Sequence, residues 1–138
     1  MTPRHSTRDV PKALYVNYLK RAEECHRAAR HSFDAQEWNA ATINAIHASI
    51  AAVDALCVYY LGKRNASDSH NVAVALFKSI PLDAAGKTAN ANRLVRILGI
   101  KNMAEYEERL VYRTEAEKVM KDGERLLEYA KAKLPDGR

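Results

Sequence analysis

The chain has 138 residues, of which 47% are apolar and 28% charged, and a formal net charge of +5. This composition is typical of one globular domain and argues against a disordered or fibrous chain. The two cysteines form no C-x-x-C pair, which argues against a disulfide framework or a zinc knuckle. The first residues are polar and basic without an apolar stretch, so we expect no signal peptide and a cytoplasmic protein.

The positive charge is concentrated in two stretches. Residues 1–30 carry seven basic and three acidic groups, and residues 62–101 carry seven and two. Residues 34–61, by contrast, carry three acidic groups and no basic one. The basic stretches have two interpretations, a surface that faces phosphate groups or the solvated faces of helices.

Apolar periodicity predicts that most of the chain is helical. We expect a basic N-terminal arm at residues 1–10, one helical-bundle domain at residues 11–134 and a tail at residues 135–138. The first helix begins near Pro11. Its apolar stripe has helical spacing and comprises Leu14, Tyr18, Ala22, Cys25 and Ala29.

The second predicted helix is the most apolar segment of the chain. Asp34 is a candidate N-cap with Glu37 three residues later, and Phe33 can pack on Trp38 as a hydrophobic staple. The run from Trp38 to Leu61 is long enough for a membrane span, but it is rich in Ala and contains scattered polar groups. We therefore predict the central buried helix of a bundle, ended by Gly62, and no membrane partner.

Shorter helices and a final long helix are predicted downstream. In chain order we expect a helix over 68–79, a turn over 83–86, a helix over 88–98 ended by Gly99, a charged segment over 101–113, and a helix over 114–133. Thr114 and Glu117 form a candidate capping box for this last helix. Its apolar face includes Gly123, which suits a close approach to small residues of the central helix. No segment has the pattern of a strand, so we predict an all-α, up-and-down bundle of four to five helices.

One Glu-x-x-His pair, Glu23 and His26, has the spacing that places two metal ligands on one helix face. A di-iron bundle needs two such pairs and two further carboxylates, and the long helices offer no second pair. We therefore predict a solvated charged face, no metal and no cofactor.

His47 and Asp54 are the polar pair of the central helix. They are seven residues apart and share one face, but the rise of about 10 Å between them prevents a direct hydrogen bond. They are either polar positions satisfied by neighbouring groups, or they line a groove at a dimer interface.

Arg64 and His70 are the sharpest candidates for chemistry, with five residues between them. A helix N-terminus offers free N–H groups to a phosphate, so Arg64 can hold a phosphate while His70 transfers a proton. Together these are the minimum for metal-free RNA cleavage. The alternative is a solvent-exposed loop followed by an ordinary helix start.

The central helix and the segment after it resemble the core of HEPN domains, small helical bundles of prokaryotic toxin–antitoxin, abortive-infection and other conflict systems. The matching residues are Asn44–Leu56, Gly62, Ser69–Asn71 and Leu76–Phe77. The resemblance covers about residues 11–134 and implies a homodimer. Active members of the family are metal-independent RNases.

The family's catalytic motif, Arg followed by His after four to six residues, is placed late in the chain. The segment Lys101–Glu107 resembles this region, where Lys101 and Tyr106 have four residues between them. The histidine is missing, and a tyrosine with an unperturbed pKa near 10 is a poor proton shuttle at neutral pH. Arg64 and His70 satisfy the spacing but lie one helix earlier.

We therefore expect a non-catalytic HEPN-like domain that serves as a homodimeric interaction or nucleic-acid-binding module. Lys63, Lys101 and Tyr106 are the candidate RNA-binding residues, and His47 and Asp54 the candidate interface residues. The alternative is a HEPN endoribonuclease that uses Arg64 and His70. The resemblance implies an antitoxin or a nucleotidyltransferase as a protein partner, and RNA as a further candidate.

Overall fold

A computed structural model describes residues 6–135 of the chain. Its five α-helices confirm the predicted all-α bundle. The elements are β1 (Thr7–Asp9), a 3-10 turn (Lys12–Leu14), α1 (Tyr15–Asp34), α2 (Trp38–Leu61), β2 (Lys63–Asn65), α3 (His70–Lys78), α4 (Ala84–Tyr106) and α5 (Arg113–Lys133). Residues 1–5 of the predicted arm and 136–138 of the predicted tail lie outside the described residues.

Helix α2 is the centre of the bundle and contacts α1, α4 and α5. Its buried side chains are mostly small, and six alanines from Ala41 to Ala55 are among them. By length and hydropathy alone α2 could cross a membrane, but 72% of its most apolar 18-residue stretch is buried inside the protein. As predicted, α2 ends at Gly62, whose left-handed φ of 69° lets the chain leave the helix.

The connection between α1 and α2 differs from the prediction. Asp34 is the last residue of α1 and does not cap α2, because α1 continues until the chain reverses at Gln36, which has a φ of 63°. The N-cap of α2 is Glu37, whose side chain makes no capping hydrogen bond. The predicted hydrophobic staple is present, since the rings of Phe33 and Trp38 pack edge to face with their centroids 5.2 Å apart.

The prediction of no strands was wrong. β1 and β2 pair in antiparallel register, with Thr7 opposite Asn65, Arg8 opposite Arg64 and Asp9 opposite Lys63. Three residues are too few to establish an alternating pattern, so this pairing left no signal in the sequence. The ladder fixes the start of the chain to the segment that follows α2.

Helix α3 begins near its predicted position, where Ser69 Oγ accepts a hydrogen bond from the Val72 amide at 3.3 Å. Helix α4 is longer at both ends than predicted. The expected turn at 83–86 is its start, capped by Asp83, and the helix runs through Gly99 to Tyr106. A single glycine costs a helix only about 1 kcal/mol, and the buried face of α4 continues past it to Ala104.

Helix α5 begins within a residue of its predicted start, but with a different cap. Glu115 Oε1 accepts a hydrogen bond from the Tyr112 amide, while Glu117 pairs with Arg113, so Thr114 and Glu117 do not form the expected capping box. The predicted close approach at Gly123 is confirmed. A Cβ there would lie 3.0 Å from Ser49 Oγ and 3.5 Å from the Ala45 carbonyl oxygen of α2.

Gly99 of α4 and Gly123 of α5 provide a matched pair of stability tests. Gly99→Ala should raise the free energy of unfolding by about 0.5–1 kcal/mol, because the new methyl group meets no atom within 4 Å. Gly123→Ala should not give this gain, because its methyl group crowds Ser49. Ser49→Ala in the Gly123→Ala background should recover it. Urea unfolding measures all three, and equal gains at the two glycines would contradict the packing described.

Candidate functional site

A cavity of about 300 Å³ opens between α2, α3, α4 and the loop that joins β2 to α3. Apolar side chains from three helices form much of its wall: Ile50, Val53, Leu76, Leu94 and Leu98. Polar and charged groups from the loop and the helix ends form the rest. The mixture of apolar wall and converging polar groups is typical of a site for a small ligand or a fragment of a larger one.

Side-chain hydrogen bonds hold the loop that borders the cavity. Asn65 Oδ1 accepts from the Ser67 amide at 3.1 Å, and Asn65 Nδ2 donates to the Ser67 carbonyl at 3.0 Å. Ser67 Oγ accepts from the Ser69 amide at 2.9 Å, and the Ala66 amide donates to the Ser6 carbonyl. These bonds give a short polar loop a defined shape between β2 and α3.

Three basic side chains from different elements border the cavity. They are Arg64 from β2, His70 from the first turn of α3, and Lys101 from α4. Arg64 is half-buried and donates from Nη1 to the Asn65 carbonyl at 2.9 Å, and Lys101 Nζ lies 3.4 Å from Glu105 Oε2. These three residues, all singled out from the sequence, thus lie around one cavity.

Asp54 from α2 lines the same cavity. Its burial raises the pKa of the carboxyl from 3.8 to about 7, against the opposing influence of Arg64 and Arg21. No hydrogen bond or ion pair joins Asp54 to another group among residues 6–135. A half-buried carboxylate without a partner is costly for a folded protein and is frequent at functional sites.

The other candidate residues lie elsewhere. Lys63 of β2 lies opposite Asp9 in the register of the strand pair, and Tyr106 ends α4 with 73% of its surface exposed. His47 is separated from Asp54 along α2, and its Nε2 lies 3.3 Å from Glu105 Oε1. The expected dimer interface of His47 and Asp54 stays a prediction.

Neither thiolate nor metal chemistry is favoured by the side chains around the cavity. Cys57 lines it one turn after Asp54, but burial raises the pKa of its thiol to about 12, so the thiol is not a ready nucleophile. Within the described part of the chain, no three His, Cys, Asp or Glu side chains group together as metal ligands.

Asp54 is predicted from the sequence as an interface residue, and its position beside Arg64, His70 and Lys101 is not. The available signal was that it is the only acidic residue between Trp38 and Leu61, a segment predicted to be buried. Sequence alone did not show that α3 and the β2–α3 loop would leave space beside it.

Comparisons of the chain with protein-family models, with curated proteins and with solved structures found no match. The resemblance to HEPN domains therefore stays a prediction from the residues that carry it.

The raised pKa of Asp54 predicts an unusual pH dependence of stability. The carboxyl of Asp54 binds a proton more tightly in the folded state than in the unfolded state. Its contribution to the free energy of unfolding is therefore complete below about pH 4 and is lost as the pH rises from there through about 7. Asp54→Asn should remove this loss and stabilise the protein at neutral pH by on the order of a few kcal/mol.

Urea unfolding at a series of pH values measures this effect, with Asp34→Asn as the control because Asp34 is exposed at the end of α1. The lowered pKa of Glu115, which pairs with Arg109, affects stability only at more acidic pH and does not interfere. If Asp54→Asn leaves the pH dependence of the free energy of unfolding unchanged, the raised pKa of Asp54 is contradicted.

Proposed function

We propose that this chain is a non-catalytic, HEPN-like domain that binds RNA, with a phosphate group held at the cavity between α2, α3 and α4. The observation that supports this most directly is the set of three basic side chains, Arg64, His70 and Lys101, on one cavity. A phosphate oxygen accepts hydrogen bonds from guanidinium, ammonium and imidazolium groups, and Arg offers two parallel donors.

The local backbone supports the same ligand. His70 is the first residue of α3, so the amide groups of His70 and Asn71 have no partner within the helix, while the Val72 amide is bonded to Ser69 Oγ. Residues 62–101, which form β2, α3 and most of α4, carry a net positive charge that favours an anionic ligand. The HEPN resemblance, which covers these elements, favours RNA over other phosphate-bearing ligands.

Salt-dependent binding of single-stranded RNA tests the proposal. Arg64→Ala should weaken binding several-fold for every sequence and reduce the slope of log K against log salt by about 0.7, the value for one single-strand phosphate contact. Arg27→Ala is the matched control, since Arg27 is exposed on α1, which does not line the cavity, and its loss removes the same charge. Equal losses in the two variants would leave only a general effect of charge and contradict the site.

One observation favours a second candidate function, a metal-independent endoribonuclease. His70 and Asp54 line the same cavity, and a carboxyl with a pKa of about 7 is suited to proton transfer near neutral pH. Arg64 would then stabilise the charge that develops on the phosphate.

Incubation of labelled RNA with the purified protein in EDTA distinguishes the two functions. We expect binding without cleavage. Cleavage in EDTA that is abolished by His70→Ala, with the helical circular dichroism unchanged, would replace the binding proposal with the nuclease. Lys78→Ala is the control for loss of a basic group, because Lys78 lies at the far end of α3.

A further inference from the structure

The side chain of Asp54 gives the cavity a polarity that phosphate binding does not explain. A carboxylate repels phosphate, yet it lines the same cavity as Arg64, His70 and Lys101. In the described part of the chain it forms no hydrogen bond and no ion pair. A ligand held by the three basic groups satisfies the ionised Asp54 if it also presents a hydrogen-bond donor to that carboxylate.

We propose that the cavity receives a guanine base whose Watson–Crick edge donates two hydrogen bonds to the Asp54 carboxylate, while the attached phosphate contacts Arg64 and Lys101. The inference rests on the proposed function and specifies which base of the RNA the site selects. The ligand in both possible sources, an RNA strand or a free nucleotide, is a guanine with an attached phosphate.

The hydrogen-bonding pattern of the four bases favours guanine. An ionised carboxylate has two acceptor oxygens and no donor. Guanine presents the adjacent donors N1–H and N2–H₂, whereas adenine and cytosine each place one donor beside an acceptor. Uracil places its single N3–H between two carbonyl oxygens. Bases of single-stranded RNA are commonly recognised through this edge after they leave the stack.

The walls and size of the cavity suit a flat base. Val53 and Ile50 precede Asp54 on α2, and Leu94 and Leu98 face the cavity from α4, so apolar surface surrounds the carboxylate. Its volume of about 300 Å³ is at the lower limit for small-ligand sites, which suits one base and not a folded nucleic acid. The basic residues lie on the loop and helix ends, where a phosphate can remain in contact with solvent.

Protonation of Asp54 should change the base that is preferred. The charged groups that act on it are Arg64 of β2 and Arg21 of α1, and His70, Lys101 and Asp68 share the cavity. Burial sets its pKa at about 7, so below that pH the carboxyl presents one donor and one acceptor. That pattern matches adenine or cytosine and no longer guanine. Because the phosphate contacts are the same for every base, a ratio of affinities isolates Asp54 from the basic groups.

The test measures binding of oligouridylate strands that carry one central guanine, adenine or cytosine. At about pH 8.5, above the pKa of Asp54, we expect the guanine strand to bind roughly tenfold more tightly than the adenine strand. At about pH 6 this ratio should fall towards one. Asp54→Asn should abolish the preference at both pH values, and Asp34→Asn, an exposed control, should retain it.

Guanosine monophosphate provides a second arm that identifies the source of the base. If it binds with the same dependence on Asp54 while no strand binds, the guanine site stands and the RNA-binding function fails. If all strands bind with equal affinity at about pH 8.5, RNA binding stands and the guanine site is overturned. If neither the strands nor the nucleotide binds, both proposals are overturned.

Discussion

The burial of α2 on nearly every side is the constraint on which the rest of the structure depends. Its buried residues are mainly alanine with valine, leucine and isoleucine, so neighbouring helices approach closely. At Gly123 of α5 the approach is so close that even a methyl group would crowd Ser49. Close packing of this kind gives a rigid scaffold, because small shifts of one helix are resisted by the others.

The same burial means that an ionised Asp54 lowers the stability of the folded protein. Asp54 is half-buried and loses part of its hydration, and no hydrogen bond within the described residues replaces the lost hydration. The raised pKa of Asp54 therefore predicts a protein that is less stable above neutral pH than it would be with an uncharged residue at this position. A cost of this kind at a cavity is consistent with a ligand-facing role, since functional groups are often retained at the expense of stability.

The short ladder of β1 and β2 determines how the basic groups reach the cavity. It holds the chain as it leaves α2, and the Asn65, Ser67 and Ser69 side chains then direct the loop into α3. Arg64 and His70 are thereby brought to one border, while Lys101 arrives from α4 because that helix continues past Gly99. The consecutive elements β2 and α3 and the later part of α4 thus contribute to one site.

The sequence by itself determined the local features of the bundle: the apolar run of α2, its end at Gly62, the start of α3 and the close approach at Gly123. These depend on spacing and on single-residue chemistry, which a sequence carries directly. Only the tertiary structure decided the strand pair, the passage of α4 through Gly99, and the meeting of Asp54, Arg64, His70 and Lys101. Each depends on contacts between distant segments, whose packing energy outweighs weak local preferences.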